Sequence, residues 1–475
     1  MSIAYRQTFY NLYDSIGSGG SKGNHGQGKG QVNQTSSDIF ISPQYDFRDL
    51  NLKYAGKAFD RDRYYISLYG ADDRFNSSVK QQNYEVDAAE KNRQYGSAAG
   101  YNRVWDNGSG SKFLFSFSKL SASIDNVAGI TDNPSTPLDL FHIDNSVREM
   151  SLNLEHNFNI GERQQIQFGG KWQQYATGFN HTQTQINNPA LYITDNILSG
   201  KLSLQAGLRT DWILSDKMYV QPRISARYAV SEELTATASF GKYNQFLTRV
   251  PFQYRQQSYQ MIWNLSDSTF LSSTHALAGL AYSRNGWLFS AEGYLKQNRN
   301  EMYFIDNEII VSDNNLLGTD IYLKNEGRNH TVFASYSIVS ASMPQKSTGQ
   351  EIKSGVIASF KPFHFSAMYV YGTGFPYLST GGHGHKYGEG NGEQQHGSEY
   401  QHSDISTEPY SRLDLSLTCK WQLKKYSIQA GASALNVFNT NNVKYSYRLY
   451  DQNNVFNVYT KATPFTPILF FEIIF

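Results

Sequence analysis

The segment RLDLSLTCKWQL constrains the fold of this chain more than any other feature. Leu413, Leu415, Leu417, Cys419, Trp421 and Leu423 alternate with Arg412, Asp414, Ser416, Thr418, Lys420 and Gln422. A period of two belongs to an extended strand with one oily and one wet face. The same dyad recurs in WLFSAEGYLK, where Trp287, Phe289, Ala291 and Leu295 oppose Ser290, Glu292 and Lys296. It recurs again in MSLNLEHNF, LSLQAGLR and FHFSAMYVY. A helix-period reading of these stretches would scatter the apolar residues around the cylinder.

The solvent facing the oily side follows from the chain's last residues, PILFFEIIF. Leu469, Phe471, Ile473 and Phe475 share one face there, at a terminus that a water-soluble domain seldom keeps so apolar. Mean hydropathy is -0.53, and no run approaches the roughly 18 apolar residues of a membrane helix. A transmembrane barrel is compatible with that value, because its strands need only every second residue apolar. Aromatic residues make up 15% of the chain, with 34 Tyr and 29 Phe, which suits strands and interfacial girdles. The net charge of +1 leaves no electrostatic footprint for nucleic acid. The single Cys419 excludes a disulfide framework within one chain.

The joints between strands alternate in length. Short ones fall at 60–63, 107–111, 161–164, 231–234, 284–287, 325–329, 361–364 and 423–426, and longer polar ones at 14–44, 76–92, 127–143, 247–273 and 377–408. This is the connectivity of a membrane barrel with tight turns at one rim and long loops at the other. The expected fold is therefore all-β: an antiparallel, up-and-down transmembrane barrel with about 20 candidate strands. No repeat of 40 to 50 residues with a blade signature supports a propeller.

On these residues a family can be named. The segments YDFRDLNLKY and RYYISLYGADDRF (45–75), LQAGLRTDW (204–212), QPRISARYAV through ATASFGKYNQF (221–246), GTGFPY (372–377), PYSRLDLSL (409–417) and ALNVFNTNN (434–442) resemble the barrel of TonB-dependent outer-membrane receptors. The resemblance implies a 22-stranded barrel in the outer membrane, closed by a plug, that imports a scarce nutrient with energy passed through TonB. A metal chelate, siderophore, vitamin or oligomeric nutrient is the implied class of cargo. The terminal strand, with Phe471, Ile473 and Phe475, looks like the signal read by the barrel-assembly machinery. The whole span 1–475 reads as barrel domain, with plug, signal peptide and TonB-contacting segment expected upstream of Met1. The alternatives are a passive outer-membrane channel and a soluble multi-domain β protein that binds sugar or protein.

Candidate sites are few. GNHGQGKG (23–30) fits G-x-x-x-x-G-K but places Gly30 where Ser or Thr would hold magnesium, and reads as a Gly-rich loop. Arg412 and Asp414 share the inner face and read as a structural charge pair. No H-E-x-x-H or G-x-S-x-G occurs, so no enzyme is expected, nor any bound cofactor. His383, His385, His396 and His402 crowd one loop with Glu389, Glu393 and Glu399, a donor set suited to zinc, copper or nickel. Tyr254, Tyr259 and Trp263 are the aromatic candidates for stacking on a ligand in an outer loop. Girdle residues are the alternative reading of those three rings.

Overall fold

A computed structural model of the chain describes residues 2–7, 38–41, 44–81, 84–130, 133–213, 217–254, 258–265, 269–305, 308–342, 347–373, 377–378, 405–406, 409–423, 427–451 and 454–474. Among them every regular element is a strand. Twenty strands make the wall. The first ten are β1 (Ser2–Gln7), β2 (Gln44–Phe59), β3 (Asp62–Gln81), β4 (Tyr84–Val104), β5 (Gly110–Ile130), β6 (Asn133–Ile160), β7 (Gln164–Phe179), β8 (Thr182–Ser199), β9 (Leu202–Ile213) and β10 (Lys217–Ala229). The others are β11 (Leu234–Gln245), β12 (Leu271–Arg284), β13 (Trp287–Ile305), β14 (Glu308–Glu326), β15 (His330–Ala341), β16 (Ser347–Phe360), β17 (Phe363–Gly372), β18 (Tyr410–Gln422), β19 (Ser427–Leu435) and β20 (Thr466–Ile474).

Each of these pairs antiparallel with the next, so neighbours in sequence are neighbours in space from β1 to β20. Among the described residues no register joins β1 to β20. A hairpin, Leu247–Tyr254 with Ser258–Leu265, supplies the remaining two members of the 22-stranded sheet. It leaves the wall after β11 and returns before β12, which themselves pair directly.

The dyad sorts the two faces as the sequence requires. Residues opposite one another in an antiparallel register point to the same side. Leu415 lies opposite Ala367 and Ala434, and Ser416 opposite Ser366 and Ser433. Following these registers around the wall puts Leu154, Phe168, Leu191, Leu208, Phe240, Leu280, Leu317 and Leu417 on the outer face, and each is exposed there. Hydrocarbon is the solvent that accepts such a surface. On β20, Leu469 belongs to the same outer face and is 84% exposed. The backbones of Phe471 and Ile473 continue that strand, and Phe475 lies outside the described residues.

Among the described residues the short joints fall where the sequence places them, with two more, at Asn180 and His181 and at Gly200 and Lys201, that the periodicity does not reveal. The tightest are two-residue turns: Asn285 and Gly286 both adopt positive φ (49° and 80°), as a type I′ hairpin demands. The long side departs from expectation. Residues 76–92 and 127–143 read as loops, yet β3 runs to Gln81 and β4 starts at Tyr84, while β5 runs to Ile130 and β6 starts at Asn133. These strands climb beyond any membrane thickness. With water on both faces they lose the apolar alternation, while the backbone ladder, which sequence patterning does not report, continues.

Candidate functional site

Inner-face side chains of β5 to β10 form a continuous polar wall. Asp211 is fully buried and lies at its centre. Arg209 donates to it through Nε (2.8 Å) and Nη2 (2.7 Å), Asn188 Nδ2 donates at 3.0 Å, and Gln221 Nε2 donates at 2.5 Å. Both carboxylate oxygens are thus satisfied by charge-assisted bonds, the condition for burying an ion. Arg223 extends the chain by donating to Gln221 Oε1 at 3.3 Å and stacking over the Tyr243 ring, 4.6 Å from its centre. Tyr243 in turn lies 4.7 Å from His275.

Below this lies a recess of about 400 Å³ whose inner-face lining includes Glu149, Asn153, Lys171, Tyr192, Arg209 and Arg223. The Tyr192 hydroxyl reaches both Asn153 Oδ1 and Glu155 Oε2 at 3.2 Å, and Lys112 Nζ pairs with Glu155 Oε1 at 2.9 Å. Tyr192 can lie flat across β7 because the opposite residue is Gly169, where an added Cβ would meet the Tyr192 hydroxyl and the Leu154 carbonyl. Fixed rings, paired charges and amides of both polarities suit recognition of a polar small molecule.

The hairpin closes this wall from above. Phe246, Leu265 and Phe270 pack on Ile186 and Ile213 with Tyr175, Tyr219 and Leu247, all meeting over the inner face of β7 to β10. The rings of Tyr219, Phe246 and Phe270 stand edge to face, 5.1 to 5.7 Å apart. A second cluster joins hairpin residues Val250 and Ile262 to Ile124, Ile143 and Met302, with Phe179 against it. Full burial of a residue such as Ile213 contributes roughly 1.5 to 3 kcal/mol, so the two clusters hold the hairpin inward over the mouth. The edge of the hairpin also pairs in parallel with the end of β13, Phe252 with Phe304 and Gln253 with Ile305.

Of the residues singled out in the sequence, Tyr254, Tyr259 and Trp263 all fall on this hairpin, on its two strands. The Trp263 side chain is half-buried, and the side chains of Tyr254 and Tyr259 lie outside the description. His383, His385, His396 and His402 lie outside the described residues. Among the described residues no three His, Cys, Asp or Glu side chains converge as a metal site. Arg412 and Asp414 do form an inner-face pair, with Nη2 to Oδ2 at 2.6 Å, and Asp414 also accepts from the Asn436 N–H at 2.9 Å. The Asp211 network carries no local signature, since its members come from three strands. Only the R-x-D spacing of Arg209 and Asp211, shared with Arg412 and Asp414, hints at it.

Fold and site together define a large membrane-spanning β-barrel with a charge-paired lumen and an inwardly folded hairpin. The chain belongs to the TonB dependent receptor-like β-barrel family, whose model matches residues 5–441. The fold is shared with the siderophore receptor PirA from Pseudomonas aeruginosa (TM-score 0.53, 14% identity, 86% of this chain and 75% of that one). It is shared also with the copper transporter OprC (TM-score 0.58, 10% identity, 85% and 67%). BauA, the ferric preacinetobactin receptor from Acinetobacter baumannii, aligns with a TM-score of 0.56 at 9% identity over 90% and 71% of the two chains. Comparison with curated proteins finds no match.

Proposed function

We propose that the chain is the ligand-binding and translocating barrel of an outer-membrane importer driven through TonB, taking up a scarce polar nutrient such as a metal chelate or siderophore. The observation that carries this reading is the hairpin Leu247–Leu265 held across the mouth over a charge-lined recess. A passive channel needs a polar bore left open, and a barrel of this strand number is wide enough to conduct. Here the mouth is narrowed by dedicated packing directly above residues suited to a ligand. Family membership adds the proposed partner, TonB. The segment bearing His383, His385, His396 and His402 is proposed as a first capture surface for a metal-bearing ligand.

The test is energy dependence. Cells expressing the protein as their sole receptor, with and without functional TonB, are given radiolabelled ferric siderophores and copper. Accumulation confined to the TonB-competent strain supports the reading. Equal uptake of small solutes in both strains would make the protein a passive channel.

A further inference from the structure

The outer face of β2 to β6 changes character along its height. Near the short turns it is apolar: Leu50, Leu52 and Tyr54 on β2, Ile66 and Leu68 on β3, Phe113, Phe115 and Phe117 on β5. Directly beyond, on the same face by register, come Arg48, Arg74, Lys91, Arg93, Lys119 and Arg148. Arg48 lies opposite Asp72, which lies opposite Arg93; Lys119 lies opposite both Tyr95 and Arg148. Arg48 stands about 11 residues from the turn after Phe59, roughly 26 Å along the membrane normal at a strand tilt near 45°. An apolar band about 25 Å tall ends at that height, so the cations sit where hydrocarbon gives way to headgroups.

Three of them share one carboxylate. Arg48, Arg74 and Arg93 reach Asp72 at 3.3, 3.7 and 3.8 Å, and remain 61%, 52% and 61% exposed while Asp72 is 17% exposed. Among the described residues no carboxylate pairs with Lys91, Lys119 or Arg148; Arg148 donates to Gln185 at 3.0 Å. Asp46 and Asp72 leave the strip with a clear positive excess. The acidic Asp125 and Asp144 stand further out and are engaged with His142. The opposite arc differs. At matching heights, β14 to β18 present Asn315, Ser340, Gln350, Tyr371 and Ser411, all uncharged.

We infer that this basic strip is a docking surface for the phosphate groups of an outer-leaflet lipid headgroup, one whose acyl chains lie along the apolar face below. Charge complementarity selects an anionic group. Position selects a lipid, because a cluster aimed outward at the hydrocarbon boundary meets headgroups before any solute. Arginine forks bind phosphate bidentately, and spacing of about 4.8 Å between strands suits a headgroup bearing more than one phosphate. The inference rests on the reading of the chain as a membrane barrel.

The experiment uses the full chain, folded into neutral phosphatidylcholine nanodiscs with and without a bis-phosphorylated lipid A. Native mass spectrometry then counts retained lipid. The quadruple variant Arg48→Gln, Arg93→Gln, Lys119→Gln, Arg148→Gln is expected to lower retention by on the order of 100-fold, since each basic side chain near an anionic surface is worth several-fold in binding. The control Lys242→Gln, Arg299→Gln, on the outer face of β11 and β13 and outside the strip, is expected to leave it unchanged. Equal loss in both, or none in the quadruple variant, overturns the docking surface. Displacement of the lipid by millimolar inorganic phosphate would also overturn it, showing a site for the free ion. Folding of both variants into the neutral discs, read by heat-modifiable gel mobility, tests the barrel separately: failure of the unmodified chain there would sink the membrane reading.

Discussion

Asn145 on β6 and Trp263 on the hairpin, 118 residues apart, hold each other as a strand would. The Asn145 Nδ2 donates to the Trp263 carbonyl at 3.0 Å, and the Trp263 N–H donates to Asn145 Oδ1 at 2.7 Å. Asn145 is buried, and its amide nitrogen also reaches the Gly178 carbonyl at 3.0 Å. One side chain therefore satisfies hairpin and wall together. Leaving such buried groups unpaired costs about 1 to 3 kcal/mol. Asn145→Leu should release the hairpin without unfolding the barrel. Single-channel recording in planar bilayers is expected to show larger or flickering conductance in the variant; identical traces would mean that the hairpin is not held by this contact.

The hairpin itself can be removed. Replacing residues 247–265 by a short Gly-Ser linker leaves β11 and β12 paired through their own register. The deletion is expected to fold and to admit larger neutral polymers in a solute-exclusion assay. Unchanged exclusion would place the constriction elsewhere.

Asp211 accepts from three side chains while fully buried. Removing one partner of a buried pair strands the other, so Asp211→Ala should destabilise the barrel by roughly 3 kcal/mol. The double change Arg209→Met with Asp211→Leu should recover most of that loss. Urea titration of refolding into bilayers measures both, and an additive pair of losses would refute the coupling.

The two faces of β18 offer a sharper contrast. Leu417 is about half exposed on the outer face, five residues from the end of the strand. Leu417→Arg should cost roughly 2 to 4 kcal/mol near the bilayer midplane. Ser416→Arg turns into the lumen beside Ser433 and should cost far less. Equal midpoints in the same titration would invalidate the alternation.

His142 lies on the part of β6 well beyond the apolar band, between Asp125 (Nδ1 to Oδ1, 2.6 Å) and Asp144 (Nε2 to Oδ2, 3.1 Å). Hydrogen bonds to Asp125, then to Asp144, raise its pKa above 6.5. A raised folded value means that this contribution to order is complete below pH 6.5 and disappears as pH climbs through the folded pKa. Histidine-selective NMR should find this ring titrating above 6.5, and Asp125→Asn should bring it down. A ring that titrates at the ordinary value in the unmodified protein would discount the contact.

Changing His383, His385, His396 and His402 together to Ala addresses the proposed metal capture. Calorimetry is expected to show zinc or copper binding by the unmodified chain and its loss in the variant, with gel mobility unaltered. Undiminished affinity would leave these histidines without a role in metal binding.

Some of this molecule is written locally and some is not. Alternation in segments such as 412–423 and 287–296 determined strand, faces and surrounding solvent, because each side chain's transfer between water and hydrocarbon is a local property that repeats every second residue. Turn chemistry at Asn285 and Gly286 is local in the same sense. ALNVFNTNN was legible as a family-like segment, yet the tertiary structure shows what its asparagines do. Asn442 exchanges two bonds with the Ser411 backbone, both at 2.8 Å, and Asn436 ties the Thr440 and Thr463 carbonyls. Tertiary structure alone decided that the hairpin Leu247–Tyr254 with Ser258–Leu265 turns inward, that 76–81, 84–92, 127–130 and 133–143 extend as paired strands, and that Asn188, Arg209, Asp211 and Gln221 meet. These outcomes depend on partners on other strands, and a carboxylate's burial is decided by donors that no spacing along its own strand can supply.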